Sequence, residues 1–166
     1  MYQVGETVLY GTEGVCKVAE ICEMKMGSQK GRYYVLRPVY RVSATIYVPL
    51  TNETLVGRMK RVLSVSEVNT LLKNAAAFEL PWIEDPNERK QSYSRILIDG
   101  DRREVVGLVR VLYLQRESLT ANGRRMRASD DQILRDAEKL LNDEFALVLQ
   151  IPQQEVPEYI RAHIEA

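Results

Sequence analysis

The chain has one histidine, one tryptophan and two cysteines, and no apolar run in it approaches the length of a membrane span. Each scarcity narrows the function. His163 stands three residues before the last, at a fraying and solvated position that does not suit a general base. Cys16 and Cys22 fall six apart on an expected strand, where they share a face but lie too far apart along it to bond each other. No neighbouring His or Cys completes a metal set, so both read as structural thiols. A glycine-rich phosphate loop, a nucleophile elbow and paired metal-ligand spacing are all missing. The expectation is a protein that is not an enzyme, with no catalytic residue, metal or cofactor. The first residues lack the basic-then-apolar pattern of a signal peptide, which points to a cytoplasmic protein with no membrane partner.

An excess of either charge is missing too: 23 Lys and Arg balance 23 Asp and Glu. That argues against indiscriminate coating of nucleic acid, yet the zero average hides a local pattern. Residues 102–127 hold Arg102, Arg103, Arg110, Arg116, Arg124, Arg125 and Arg127 against Glu104 and Glu117. Residues 129–144 reverse the sign, with Asp130, Asp131, Asp136, Glu138, Asp143 and Glu144 against Arg135 and Lys139. A basic stretch beside an acidic one makes an oriented field suited to an anionic partner.

What is present divides into two kinds of pattern. In the first third, Val4, Val8 and Tyr10 fall on one side of an extended chain, punctuated by Gly5, Gly11 and Gly14. Val15 to Ile21 reads as a second strand, Met24 to Gly31 as a polar hairpin loop, and Arg32 to Val39 as a third strand. Ser43 to Leu50 reads as a fourth, and Val42 is counted with the apolar residues of these last two. Pro49 marks a strand end or a sheet edge, because it has no amide to donate. Four or five short strands in some sixty residues predict a small SH3- or Tudor-like β-barrel.

From residue 64 onward the apolar spacing becomes helical. Ser64 and Glu67 form a capping box for a helix from about Val65 to Ala77. Phe78 to Pro86, with two prolines, breaks the pattern and marks a boundary, and Asp85 caps a helix that opens on Pro86 and ends near Asp99. Asp101 with Glu104 caps the next, whose stripe is Val105, Leu108, Val109 and Leu112. Ser118 to Ala128 reads as a loop. Ser129 with Gln132 opens a long helix striped by Ile133, Leu134, Ala137, Leu140, Leu141, Phe145 and Leu149. Pro152 ends it, and Val156 to Ile164 forms a last short helix. The expected class is therefore α+β: a small SH3/Tudor-like barrel at 1–63 followed by an all-helical domain at 64–166.

Specific residues carry a family resemblance. Val4-Gly5, Val8, Tyr10 and Gly14-Val15, then Tyr33-Tyr34-Val35-Leu36, then Thr45, Val48-Pro49 and Asn52 before Gly57 resemble the polymerase-interacting domain of the CarD/CdnL family of bacterial transcription regulators. A similar module occurs in the transcription-repair coupling factor. The likeness continues through Gly100-Asp101, Val105, Val106, Val109, Arg110 and Leu112, and then Ala137, Leu140, Leu141, Glu144 and Ala146, so it spans nearly the whole chain.

The resemblance implies a regulator whose barrel docks on the RNA polymerase β subunit, partly by strand pairing at a sheet edge. Its helical domain would contact double-stranded promoter DNA at the upstream edge of the bubble. Tyr47 stands where the family carries an arginine that reaches the polymerase. Met24, Lys25 and Met26 read, from two methionines flanking a lysine outside the core, as a partner-facing hairpin, with a merely exposed turn as the alternative. Trp82 lies about four residues before the place of the family's tryptophan wedge, so it is either a wedge in a shifted frame or a plug packed between the domains. Arg124, Arg125 and Arg127 would grip phosphates, with Arg89, Lys90, Arg102 and Arg103 extending the track. Their alternative is a solvated surface that pairs with the acidic helix after Ser129. Two other readings stay open: a polymerase-bound adaptor without DNA binding, and an RNA- or ribosome-associated barrel protein. An exposed barrel edge strand would also permit self-association.

Overall fold

A computed structural model describes residues 1–41 and 43–164, with the backbone alone at Met26, Gln29 and Ile164. The chain divides into two units, Met1–Val62 and Leu63–Ala166.

The first unit is a five-stranded antiparallel sheet. Its strands are β1 (Thr7–Tyr10), β2 (Gly14–Met26), β3 (Gln29–Pro38), β4 (Ile46–Pro49) and β5 (Met59–Arg61), in the spatial order β4-β3-β2-β1-β5. The sheet is open rather than closed into the expected barrel. Strands β4 and β5 are its two edges, four and three residues long, and among the described residues no ladder joins them. A short helix, α1 (Glu53–Gly57), lies between them in sequence, its first turn capped by the Asn52 side chain, which accepts from Leu55 N at 3.1 Å.

The core of this unit is Val8, Tyr10, Cys16, Val18, Tyr34, Leu36, Val48 and Met59. Val4 does not join Val8 and Tyr10 as its spacing suggested. Gly5 turns the chain at φ 91°, the strand starts only at Thr7, and Val4 is left 59% exposed. Strand β4 likewise starts at Ile46 rather than at Ser43, and Val42 lies outside the described residues. A bulge between Val18 and Glu20 shifts the β2 register by one residue. Because side chains alternate along a strand, that single residue turns Cys22 to the face opposite Cys16. The shared face expected for the two thiols is therefore not formed.

Among the described residues, the second unit packs five α-helices around one core. They are α2 (Val65–Lys73), α3 (Pro86–Asp99), α4 (Arg102–Ala121), α5 (Ala128–Leu149) and α6 (Val156–Ile164). The Ser64/Glu67 and Asp101/Glu104 capping boxes both form, and Asp85 caps α3 by accepting from Asn87 N. Helix α2 stops four residues short of Ala77, at Lys73. The Asn74 side chain donates to Thr70 O at 3.0 Å, and a 3-10 turn at Ala75–Ala77 follows. Helix α4 runs on to Ala121, through the first part of the expected loop. Helix α5 begins one residue before Ser129, at Ala128. Its N-cap is Arg127, with no side-chain hydrogen bond, so the Ser129/Gln132 cap is not used.

Val68, Leu72, Leu108, Leu112, Leu134, Ala137 and Phe145 are among the buried residues of this core. Each large aliphatic side chain buried there contributes ~1.5–3 kcal/mol. The segment between α2 and α3 crosses α4 at Gly107. A Cβ there would stand 2.8 Å from Phe78 O and 3.1 Å from Leu80 Cγ, so only glycine allows the approach. That crossing leads directly into Trp82.

Candidate functional site

Two surfaces carry the residues singled out by sequence, one on each unit. On the sheet, strand pairing places Cys22 opposite Tyr33, Met24 opposite Gly31, Glu20 opposite Val35, and Val35 opposite Tyr47. Directly paired residues face the same side, so Cys22, Met24, Tyr33, Val35 and Tyr47 share the face turned away from Tyr34, Leu36 and Val48. Tyr47 projects from edge strand β4 and is 41% exposed. Lys25 is exposed on the opposite face from Met24. The expected loop from Met24 to Gly31 shrinks to a two-residue turn, Gly27-Ser28, because both strands run on to Met26 and Gln29. The Met26 side chain lies outside the described residues. Tyr33 and Val35, which carry the family resemblance but were not among the candidate contacts, belong to this face and are buried, at 9% and 4% exposure.

On the helical unit the candidate cations separate into two kinds. Arg89 is 4% exposed, and its guanidinium is fully engaged. Nε donates to Asp130 Oδ1 at 2.9 Å and Nη2 to Oδ2 at 2.8 Å, while Nη1 donates to Ile83 O at 2.9 Å and Glu84 O at 3.2 Å. Hydrogen bonding to Asp130 raises the Arg89 pKa further above its usual range, outweighing burial. Its charge is thus committed inside the fold, which corrects its expected place in a phosphate track. Arg102 departs in the same way: Nε and Nη2 reach both oxygens of the buried Glu144, at 3.1 and 2.8 Å. Glu144 also accepts from Leu63 N at 3.0 Å.

The remaining candidates are on the surface. Arg124, Arg125 and Arg127 are exposed in the turn between α4 and α5, and Lys90 is exposed on α3. Arg103 is exposed at the start of α4, 3.8 Å from Asp101. Arg127 precedes Asp130 by three residues, so the Arg89–Asp130 pair brings α3 against the end of α5 that bears the loop arginines. Arg102 instead meets α5 fourteen residues further on, at Glu144, about 21 Å along the axis. A single continuous track is therefore not assembled. Lys90 and the loop arginines fall near one end of α5, and Arg102 and Arg103 near the other.

Trp82 is half-buried and packs against the helical core. The Arg89 guanidinium carbon lies 4.3 Å from the indole centroid, and the Tyr93 ring stands 6.4 Å away at 57°. Its packing partners here belong to the helical unit itself.

Asp130 and Glu144, the carboxylates that hold Arg89 and Arg102, were not among the candidate site residues, although Glu144 is one of those that carry the family likeness. Their signal is positional. Asp130 precedes Ile133 and Leu134 by three and four residues, and Glu144 follows Leu140 and Leu141 by the same spacing, so both occupy the apolar stripe of α5. Arg89 lies four residues before buried Tyr93 and eight before Leu97. A charge on a core stripe requires an opposite charge on a facing stripe.

Comparison with known families gives two matches. Residues 2–63 match the CarD-like/TRCF RID domain, and residues 67–161 match the CarD C-terminal domain. The matched modules define the class first: an RNA-polymerase-interacting transcription regulator. Two successive CarD modules in their family order cover nearly all of the sequence, and the chain belongs to the CarD family. Proteins of this family are non-enzymatic transcription factors. Among the described residues no helix is long and apolar enough to cross a membrane, and no group of three His, Cys, Asp or Glu side chains is placed to hold a metal ion.

Proposed function

We propose that this protein binds the β subunit of RNA polymerase through its sheet unit and double-stranded promoter DNA through its helical unit, thereby setting the lifetime of the open promoter complex. In this reading residues 1–63 are a Tudor-like polymerase-docking domain and 64–166 the DNA-contacting domain, working in the cytoplasm wherever the polymerase sits on the nucleoid. The polymerase would add to edge strand β4 and cover Tyr47 and Met24, with Lys25 and Met26 at the rim. Main-chain pairing supplies affinity at such an edge, and the projecting side chains supply specificity. Tyr47 would act by packing, since it cannot form the ion pair of an arginine.

On DNA, Arg124, Arg125, Arg127 and Lys90 would hold phosphates while Trp82 rests against the distorted duplex at the bubble edge. Arg103 would reach a separate phosphate. Two modest contacts on one chain reinforce each other, because binding the first raises the effective concentration of the second. The open complex gains stability by the difference in affinity between its open and closed forms, with no chemical step.

The observation that carries the reading is the exposed arginine turn at the α5 end to which Arg89 ties Trp82. The test is retention of the full chain by purified core polymerase, compared with Tyr47→Ala, followed by binding of the retained complex to a forked promoter duplex. Retention weakened by Tyr47→Ala, with added duplex affinity, supports the reading; no retention removes it. One feature favours a second reading, that of a polymerase adaptor without DNA contact. Around Trp82, Glu79, Glu84, Asp85 and Glu88 outnumber Arg89 and Lys90. Retention by polymerase with no gain in duplex affinity would select the adaptor.

A further inference from the structure

Segment 78–85 contains no helix or strand, yet Trp82 within it is held from several sides. The Tyr93 hydroxyl donates to Pro81 O at 2.8 Å, on the residue before it. Arg89 Nη1 donates to Ile83 O and Glu84 O, on the two residues after it. The same guanidinium lies 4.3 Å from the centroid of the indole ring. Asp130 grips the other two nitrogens of that guanidinium in a two-point fork from the first turn of α5.

We infer that Asp130 and Arg89 are positioning residues that fix the Trp82 indole relative to the arginine turn before α5. The inference rests on the proposed use of Trp82 at the DNA, and it assigns the mounting of that side chain to two residues that do not touch DNA themselves. The chemistry suits the task. A guanidinium is planar, so one group can accommodate a carboxylate fork at one edge, bind two carbonyls at another and present a flat face to an aromatic ring. An ammonium could supply the charge but not the three directions at once. The pair also ties one rigid helix to an irregular segment, which removes conformations that DNA binding would otherwise have to freeze out.

The clamp can be tested because Trp82 is the only tryptophan, so intrinsic tryptophan fluorescence of the full chain reports on this side chain alone. Arg89→Lys should increase quenching of Trp82 by acrylamide while far-UV dichroism stays unchanged. Asp130→Asn, which keeps an acceptor for Arg89, should shift quenching in the same direction by less, and serves if Arg89→Lys fails to fold. Unchanged quenching in the folded variants overturns the clamp. For a forked duplex, Trp82→Ala should weaken binding about tenfold, the order expected when one aromatic side chain no longer stacks on a base. Arg89→Lys should approach that weakening, and the double variant should be no weaker than Trp82→Ala alone, since both remove one unit. Fully additive effects overturn the positioning role. If Trp82→Ala leaves duplex binding unchanged, the DNA role of Trp82 fails and the clamp loses its purpose there, while quenching still shows separately whether Arg89 holds the indole.

Discussion

The ion pairs of the sheet unit lie at its surface, whereas the helical unit builds charged pairs into its core. Lys30–Glu23, Arg41–Glu13 and Arg61–Glu6 all lie at the surface of the sheet unit. The buried charged residues seen among the described residues, Arg89, Asp130, Asp143 and Glu144, all belong to the helical unit. The geometry of each unit explains the difference. Strand alternation alone gathers the core cluster of the sheet on one face. Helices joined by irregular segments leave carbonyls and amides that need partners, and Arg89 and Glu144 supply them to Ile83, Glu84 and Leu63. The ion pairs described in the first unit are thus surface pairs, while an arginine in the second is either a strut or a contact, and only its partner tells which.

The sharpest way to break this contrast is to remove one partner of a strut. Asp130→Ala should destabilise the helical unit by about 3–5 kcal/mol, because it leaves the buried Arg89 without its carboxylate. Urea unfolding followed by Trp82 emission reads this directly; a destabilisation no larger than that of an exposed pair would dissolve the distinction. In the sheet unit the corresponding effect should come from apolar truncation. Leu36→Ala, at a fully buried position, should cost about 2–5 kcal/mol. Far-UV dichroism during unfolding is the measurement, since the unit has no tryptophan. Glu23→Ala breaks a pair whose side chains are 70% and 62% exposed, and its midpoint should move by less than about 1 kcal/mol in stability.

The smallest effect concerns the thiols. Burial pushes Cys16 up to about 11, so it stays protonated at neutral pH and its thiolate appears only as the pH approaches that value. Cys22 is also raised, first by desolvation and then by Glu20, but it is half-exposed on the other face. Alkylation of the native protein at mildly alkaline pH, read by mass spectrometry, should label Cys22 first and Cys16 only on unfolding. Equal labelling would contradict the two-faced sheet.

The contrast also governs how much could be seen in the sequence. Helix starts set by local chemistry, at Ser64 with Glu67, at Asp85 with Pro86 and at Asp101 with Glu104, were legible because the signal lies within four residues. Strand β5 and helix α1 were not placed, since three residues of strand have no readable period and Asn52 capping Leu55 is a short signal. The bulge at Val18 to Glu20 reversed the Cys22 face through one unpaired residue, which only the partner strand reveals. At the candidate site, the exposure of Arg124, Arg125 and Arg127 agrees with their place in a polar glycine-containing turn. Arg89 and Arg102 looked like further members of the same basic set. Their pairing depends on Asp130 and Glu144, some forty residues away in sequence, where charge counting sees neighbours but not pairs.

The most direct test of the central claim, that the loop arginines are contacts and the carboxylate-paired Arg89 and Arg102 struts, is the salt dependence of duplex binding. Affinity of the full chain for a forked promoter duplex would be measured across a salt series for wild type and for Arg124→Ala/Arg125→Ala/Arg127→Ala. The slope of log affinity against log salt should be shallower in the variant by about 2–3, near 0.9 for each phosphate that it no longer neutralises, with the urea midpoint unchanged. An unchanged slope, or a slope change accompanied by a fall in stability, would contradict the claim.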